Sequence, residues 1–200
     1  MARLPNFLVI IRSEKLSGKG QGRGAKKRTF RFGKKNVSFP KVETFRFADY
    51  TTREKFDDIF NINFFSPVEL LRLLVKKKKL HSNSSVVFIV SIGGTGKFSV
   101  GHSIYGASKA ALQAMVRFCA QELASKKVRV NGINPGMVNT PLIRRGTLTD
   151  EQLEEDRAKY PLKRYGEPED IAYAAIYLLS NASSWVTGQS IIIDGGITSK

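Results

Sequence analysis

Three polar residues, Ser91, Tyr105 and Lys109, have the types and spacing needed for proton transfer at a carbonyl or an alcohol. Tyr105 and Lys109 are spaced i, i+4, so on a helix both side chains project from one face. A lysine ammonium near a tyrosine hydroxyl favours the phenolate and should lower the tyrosine pKa from about 10. Such a phenol can exchange a proton with a substrate oxygen, to which Ser91 could donate a hydrogen bond. Taken alone the pair is a weak signal, because i, i+4 pairs arise by chance on many helices.

The elements that must position these residues alternate between strands and helices. Continuously apolar strands, typical of a sheet covered on both faces, are predicted at 84–91, 128–133 and 190–193. Helices are predicted at 103–125, at 149–159 and from Pro168 to Ser180. A capping box at 51–54 predicts a further long helix to about Lys79, which Pro67 should bend or divide. This alternation predicts right-handed crossovers and an α/β fold with a Rossmann-like, doubly wound, mostly parallel sheet.

Ligands of such sheets bind beyond the carboxyl ends of the strands. Ser91 ends one predicted strand, Tyr105 and Lys109 begin the following helix, and Pro135-Gly136 ends the next strand. The sequence therefore predicts one site at this edge. For Pro135-Gly136 an ordinary strand-ending turn is the alternative, and it is compatible with the same position.

In combination these segments resemble the short-chain dehydrogenase/reductase family, over roughly Arg53 to the C-terminus. The resemblance is carried by Ser91, by Tyr-Gly-Ala-Ser-Lys at 105–109 and by Asn-Gly-Ile-Asn-Pro-Gly at 131–136. Val-Asn-Thr-Pro at 138–141, Val-Thr-Gly-Gln at 186–189 and Asp-Gly-Gly at 194–196 extend it. The closing segments are most similar to the classical branch that includes 3-oxoacyl-acyl-carrier-protein reductases. The resemblance implies an oxidoreductase that interconverts a carbonyl and a secondary alcohol by hydride transfer with NADP or NAD.

The resemblance also implies catalytic roles. Tyr105 matches the general acid/base, and Lys109 matches the residue that lowers its pKa and hydrogen-bonds the nicotinamide ribose. Ser91 matches the donor to the substrate oxygen. Asn63 matches the helix asparagine that holds a proton-relay water near the lysine, with Asn61 as the competing assignment.

For the cofactor, the resemblance implies that Pro135, Gly136, Val138 and Thr140 close over the nicotinamide, beside Tyr105 and Lys109. Val138 would offer backbone groups to the carboxamide, and Thr140 would offer a hydroxyl. The segment 144–165 would shape the choice of a small-molecule carbonyl or alcohol substrate. A homo-oligomer, dimer or tetramer, is also implied, with interfaces on the helices at 51–79 and 103–125.

The N-terminal half of the family pattern is missing or replaced. Residues 8–11 could form a strand, but the expected Thr-Gly-x-x-x-Gly-x-Gly turn, whose helix receives the pyrophosphate, does not follow them. The glycines at 18, 20, 22 and 24 do not supply it either. We therefore expect an N-terminally incomplete fold. A shortened or frameshifted gene would explain this, as would a basic segment that truly replaces the missing part.

The charge of the chain supports a division into two parts. The 200 residues carry a net charge of +16, of which +11 lies in residues 1–41, a basic, glycine-rich segment expected to be irregular. Residues 42–200 carry the remaining +5 and the family-like domain. The alternative function follows from this charge: an inactive remnant whose N-terminal segment binds nucleic acid or other polyanions by counterion release.

Composition limits the other possibilities. No apolar run approaches the ~20 residues of a membrane helix, so no membrane association is expected. The single cysteine, Cys119, excludes an intramolecular disulfide and a cysteine-rich metal site, and we expect no metal at all. A cytoplasmic protein is the resulting expectation.

Overall fold

The computed structural model describes residues 9–12, by their backbone alone, together with residues 52–141, 143 and 149–199. Most of the predicted segment 1–41 lies outside these residues. The glycine-rich tract at 18–24 and the arginines at 144 and 145 also lie outside them.

Among the described residues four strands form one sheet, in the order in which they occur along the chain. They are β1 (Val9–Arg12), β2 (Ser85–Ile89), β3 (Arg129–Pro135) and β4 (Ser190–Ile193). β2, β3 and β4 are parallel, with Val86 opposite Val130 and Ile133 opposite Ile191. β1 pairs antiparallel with β2. The prediction of an α/β fold with a mostly parallel sheet is thus confirmed.

The helices lie between the strands. They are α1 (Arg53–Phe60), a π-helical turn (Asn61–Phe65), α2 (Ser66–Lys76), α3 (Ser103–Leu123), α4 (Asp150–Ala158) and α5 (Pro168–Leu179). Short 3-10 turns follow α3 at Ala124–Lys126 and α5 at Asn181–Ser183. None of the described helices is both long and apolar enough to cross a membrane.

Both faces of the sheet are covered, as its continuously apolar strands require. On one face Val86 and Phe88 pack with α2 and α3, in a core that includes Leu71, Leu112 and the buried Cys119. On the other face Val87 and Ile133 pack with Ala175 and Leu178 of α5. Successive residues of β2 thus point to opposite layers, which is the period-two alternation of a strand.

The first long helix is divided, as the position of Pro67 predicts. Pro67 lies in the first turn of α2 and has no N–H for a helical hydrogen bond. The preceding turn widens to a π-helix, in which the Ser66 N–H donates to the Asn61 carbonyl. The predicted N-terminus is displaced by one residue, because the Thr52 hydroxyl caps α1 by accepting the Lys55 N–H at 3.3 Å. The capping box predicted at 51–54 is therefore wrong in register.

β3 extends two residues beyond its predicted end, through Pro135. A proline lacks only the donor, and the Pro135 carbonyl accepts the Ile92 N–H at 3.1 Å. Gly136 then donates its N–H to the Ile193 carbonyl at 2.9 Å. This extension ties the ends of β2, β3 and β4 together where the site is predicted.

Candidate active site

Ser91 lies just beyond the carboxyl end of β2, and its residue surface is 9% exposed. Its hydroxyl oxygen accepts the Gly93 N–H at 3.0 Å. Its carbonyl accepts a hydrogen bond from the Thr95 hydroxyl at 2.7 Å. The loop after β2 therefore holds both the hydroxyl and the carbonyl of Ser91, through residues that lie within four positions of it.

Two glycines bring this loop against the first turn of α3. Gly94 has a φ of +80°, and a Cβ atom there would overlap the carbonyl of Gly106. A Cβ atom on Gly93 would lie 3.3 Å from both Ser91 Oγ and Tyr105 Cε1. The Tyr105 ring thus lies beside the Gly93 backbone and Ser91. This role of Gly94 and Gly106 is not among the sequence predictions, although a glycine between Tyr105 and Lys109 is a signal for close backbone approach.

Burial decides the protonation of Tyr105. Although 37% of the residue surface is exposed, desolvation of the phenol raises the tyrosine pKa above 10. A hydrogen bond with Ser91 acts in the opposite direction but is the smaller effect. The predicted lowering of the Tyr105 pKa by Lys109 is therefore wrong for this structure, in which the tyrosine stays protonated at neutral pH.

Lys109 is buried beneath Tyr105, with 2% of its surface exposed. Its Nζ donates to the Ile89 carbonyl at 3.1 Å and lies 5.9 Å from the centroid of the Tyr105 ring. Burial lowers the Lys109 pKa from 10.5 to about 8, because the ammonium loses its hydration. At neutral pH it keeps most of its charge, and two of its three N–H groups are left for other acceptors.

Asn63 and Asn61 have different surroundings, although both lie in the π-helical turn. Asn63 is buried, and its Nδ2 donates to Ser108 Oγ at 3.1 Å. Ser108 Oγ in turn donates to the Tyr105 carbonyl at 2.7 Å. Asn61 is exposed. The structure therefore joins Asn63, and not Asn61, to the helix that carries Tyr105 and Lys109.

The segment after β3 runs from the site to a second cluster of side chains. Gly136 packs closely on β4, since a Cβ atom there would lie 2.9 Å from Asp194 Cα. Val138 forms a β-bridge with Gly166. Thr140 is half-buried, and its carbonyl accepts the Ile143 N–H at 3.0 Å. Pro135 and Gly136 thus lie at the strand ends beside the Ser91 loop, and Val138 and Thr140 lie farther along the outgoing segment.

Tyr160 and Tyr165 support this outgoing segment. The Met137 N–H donates to the Tyr160 hydroxyl at 3.2 Å, and the two tyrosine rings pack edge to face at 5.5 Å with Leu153 beside them. A cavity of about 160 Å³ opens next to Met137 and is lined also by Gly166 and Asp194. The cavity is outside the Ser91–Tyr105 cluster, on the side where the sequence predicts the substrate-shaping segment.

The arrangement can do proton chemistry at an oxygen placed beside Tyr105. It combines a protonated phenol, a serine hydroxyl and a buried ammonium at the carboxyl ends of β2 and β3. In the part of the chain that the structure describes, no group of three or more His, Cys, Asp or Glu residues could hold a metal ion.

Comparison with known proteins covers most of the chain. The family model described as Enoyl-(Acyl carrier protein) reductase matches residues 35–198. The 3-oxoacyl-acyl-carrier-protein reductase of Thermotoga maritima is 35% identical over 144 residues, which are 72% of this chain and 57% of that protein. A tropinone reductase homolog of Arabidopsis thaliana is 34% identical over 168 residues, which are 83% of this chain and 64% of its own length.

Solved structures are also similar to this chain. A short chain dehydrogenase family protein from Francisella tularensis has a TM-score of 0.70 at 30% identity, covering 76% of this chain and 65% of that one. A 4-hydroxyisoleucine dehydrogenase complexed with NADH has a TM-score of 0.69 at 27% identity, covering 76% and 62%.

The chain thus spans between about half and two thirds of the length of the relatives that it matches. The family match includes all the predicted site residues, from Asn63 to Thr140. By this match, and by the fold described above, the chain belongs to the short-chain dehydrogenase/reductase family, in its classical branch.

Proposed function

We propose that this chain is an NAD(P)-dependent oxidoreductase that interconverts a carbonyl and a secondary alcohol, with Tyr105 as the acid/base. The observation that carries this proposal is the convergence of Ser91, Tyr105 and the buried Lys109 at the carboxyl ends of two parallel strands. The names of its relatives support the reaction class, and the NADH in the 4-hydroxyisoleucine dehydrogenase structure supports the cofactor class.

The donor set around Lys109 fits a nicotinamide ribose. The ammonium uses one N–H on the Ile89 carbonyl and has two left, which suits a pair of sugar hydroxyls. Pro135, Gly136, Val138 and Thr140 would border the nicotinamide ring, with Val138 and Thr140 as its polar partners. When bound, the dinucleotide would supply or accept the hydride.

The residues of the chain then handle the proton. In reduction, Tyr105 gives its hydroxyl proton to the oxygen of the carbonyl, while Ser91 donates a hydrogen bond to that oxygen and polarises the carbonyl. The nearby Lys109 ammonium stabilises the phenolate that is left. Asn63 would hold a water near Lys109, from which the tyrosine regains a proton.

The raised pKa of Tyr105 predicts a pH dependence of the two rates. A phenol that is protonated at neutral pH is ready to act as the acid for carbonyl reduction, whereas alcohol oxidation needs the phenolate. The rate of carbonyl reduction should fall as the pH rises through the Tyr105 pKa, and the rate of alcohol oxidation should rise over the same range.

The decisive experiment is Tyr105→Phe. We expect NADPH or NADH oxidation with a panel of ketones, followed by absorbance, to be abolished in this variant, because the phenyl ring keeps the packing but carries no proton. Tyr173→Phe, at an exposed position on α5, is the matched control and should keep full turnover. Turnover retained in Tyr105→Phe would refute the role of Tyr105.

We further propose that the chain forms a homo-oligomer, a dimer or a tetramer, through the faces of α1, the π-helical turn and α3. Phe65 and Phe118 support this proposal, since they are 53% and 63% exposed on those elements. Large exposed aromatic residues on neighbouring helices are typical of protein interfaces. Sedimentation of the chain and of a Phe118→Glu variant would test it, and an unchanged molar mass in the variant would contradict it.

A further inference from the structure

A buried hydrogen-bond network joins the end of β3 to the loop that carries Ser91. Asn134, of which 2% is exposed, donates from Nδ2 to Thr95 Oγ1 at 3.0 Å and to Gln113 Oε1 at 2.5 Å. Gln113 lies on α3, one turn after Lys109. Three elements therefore meet at one amide: the strand that leads to Pro135, the helix of Tyr105 and Lys109, and the Ser91 loop. The chemistry proposed above uses none of these three polar side chains.

The direction of the Thr95 hydroxyl follows from this contact. A hydroxyl has one proton, and Thr95 Oγ1 already accepts the Asn134 N–H. Its proton is therefore directed to the Ser91 carbonyl at 2.7 Å, with a longer contact of 3.3 Å to the Ile92 carbonyl. Ser91 is then held at its carbonyl by Thr95 and at its hydroxyl by the Gly93 N–H.

The network is maintained at an energetic cost. Asn134 Oδ1 is the only buried side-chain nitrogen or oxygen among the described residues that has no hydrogen-bond partner. An unsatisfied buried polar group costs about 1–3 kcal/mol. Turning the amide over would place Oδ1 against Gln113 Oε1, which can only accept, so the contact with Gln113 keeps the amide in this orientation. A purely apolar residue at this position would avoid the cost, which points to a role other than stability.

We propose that Thr95 and Asn134 are positioning residues, which hold Ser91 in hydrogen-bonding reach of Tyr105. Thr95 acts directly on the Ser91 backbone, and Asn134 acts through Thr95 while anchoring the loop to β3 and α3. The expected effect on turnover rests on the function proposed above. The effect on geometry does not, because Ser91 Oγ and the Tyr105 ring lie close together in the chain by itself, each 3.3 Å from where a Cβ atom on Gly93 would be.

The geometric test uses the carbon-13 resonance of the Tyr105 Cζ atom at neutral pH, assigned with Tyr105→Phe. Ser91→Ala removes the hydrogen bond to the phenol and should shift this resonance. Thr95→Val, which keeps the shape but removes the hydroxyl, should shift it in the same direction, and Thr95→Ser should restore the original position. Thr187→Val is the matched control: it removes a hydroxyl that accepts the Val130 N–H near the other end of β3, and it should leave the resonance in place.

Asn134→Ala gives a second route should Thr95→Val not fold, and it should shift the resonance in the same direction. The proposal is overturned if Ser91→Ala shifts the Tyr105 resonance while Thr95→Val, or Asn134→Ala in its place, leaves it unchanged.

Turnover provides an independent arm. Thr95→Val should lower kcat roughly tenfold and leave the KM for the dinucleotide within about twofold, since it weakens the polarisation of the substrate oxygen. In a Ser91→Ala background the same substitution should cost nothing further, because its route of action is gone. Losses that multiply in the double variant would contradict the proposal. If the unmodified chain shows no turnover, the proposed function fails, and the resonance of Tyr105 alone decides the role of Thr95 and Asn134.

Discussion

Two segments of the chain border the site, and they are held in place by different kinds of contact. The segment 91–109 is held by backbone against backbone at Gly94 and Gly106 and by partly buried hydrogen bonds of 2.7 and 3.0 Å. The described part of the segment 137–165 is held by the β-bridge of Val138 with Gly166 and by side chains, among them the Tyr160 and Tyr165 rings. Its Arg164 forms an ion pair with Asp170 at 2.7 Å, and the arginine side chain is 52% exposed.

The difference indicates that the two segments have different roles. A backbone contact cannot relax around an added atom, so the first segment keeps the relative placement of Ser91 and Tyr105 constant. Side-chain clusters tolerate changes of size and shape, and exposed ion pairs contribute little to stability. The second segment can therefore vary its surface without loss of the fold, as the substrate-shaping role expected of it would require.

The largest expected effect comes from breaking the backbone contact in the first segment. Gly94→Ala places a Cβ atom into the Gly106 carbonyl at a φ of +80°. We expect the free energy of unfolding to fall by at least about 3 kcal/mol and turnover to be lost as well. Denaturant unfolding measures this loss. Gly96→Ala, whose Cβ would lie 3.4 Å from Thr198 Cγ2, is the control and should cost less than about 0.5 kcal/mol. Equal costs at the two glycines would show that the contact is unimportant.

The next effect concerns the buried charge of Lys109. Its pKa is about 8 in the folded chain and 10.5 in its ordinary environment, so between these values the unfolded chain binds more protons. The free energy of unfolding should therefore rise with pH over this window, by on the order of 3 kcal/mol for two and a half pKa units, and the gain is lost again as the pH falls through 8.

Lys109→Met should remove this rise and also abolish turnover. We expect the variant to be more stable than the unmodified chain near pH 7, and the difference to shrink toward pH 10.5. Denaturant unfolding at several pH values measures both, with Lys126→Met on an exposed turn as the control. The same rise in Lys109→Met as in the unmodified chain would assign the pH dependence to another group.

The smallest effect is expected in the second segment. Tyr165→Phe removes a hydroxyl that donates to the Leu153 carbonyl at 3.1 Å and lies 3.0 Å from Asp156 Oδ2, while the ring contact stays. We expect a loss of about 1 kcal/mol in stability and a change in kcat of less than about twofold. A loss of kcat as large as that of Gly94→Ala would remove the distinction between the two segments.

Local sequence patterns were sufficient for the elements and for the pairing of Tyr105 with Lys109. The apolar runs at 84–91 and 190–193 and the helix at 103–125 are confirmed within a few residues, because strand and helix periods are local properties. The i, i+4 spacing is likewise local, so both side chains project from one face of α3. The boundaries at Thr52 and Pro135 were wrong by one or two residues, because they depend on single hydrogen bonds.

The remaining features depend on contacts between distant parts of the chain. The antiparallel pairing of β1, the hydrogen bond of Asn63 with Ser108 and the approach of Gly94 to Gly106 each join segments that lie apart in sequence. The pKa of Tyr105 belongs with them. Its spacing to Lys109 predicted a lowered value, but the surrounding protein desolvates the phenol and raises it.

The sequence by itself thus determined the family, the α/β architecture and the identity of the residues that could transfer a proton, because residue types and their spacing are local properties of the chain. Only the tertiary structure decided how deeply Lys109 is buried, in which form Tyr105 is held and which side chains hold Ser91. Burial and hydrogen-bond partners come from the packing of β2, β3 and α3 against one another, and no local pattern contains that packing.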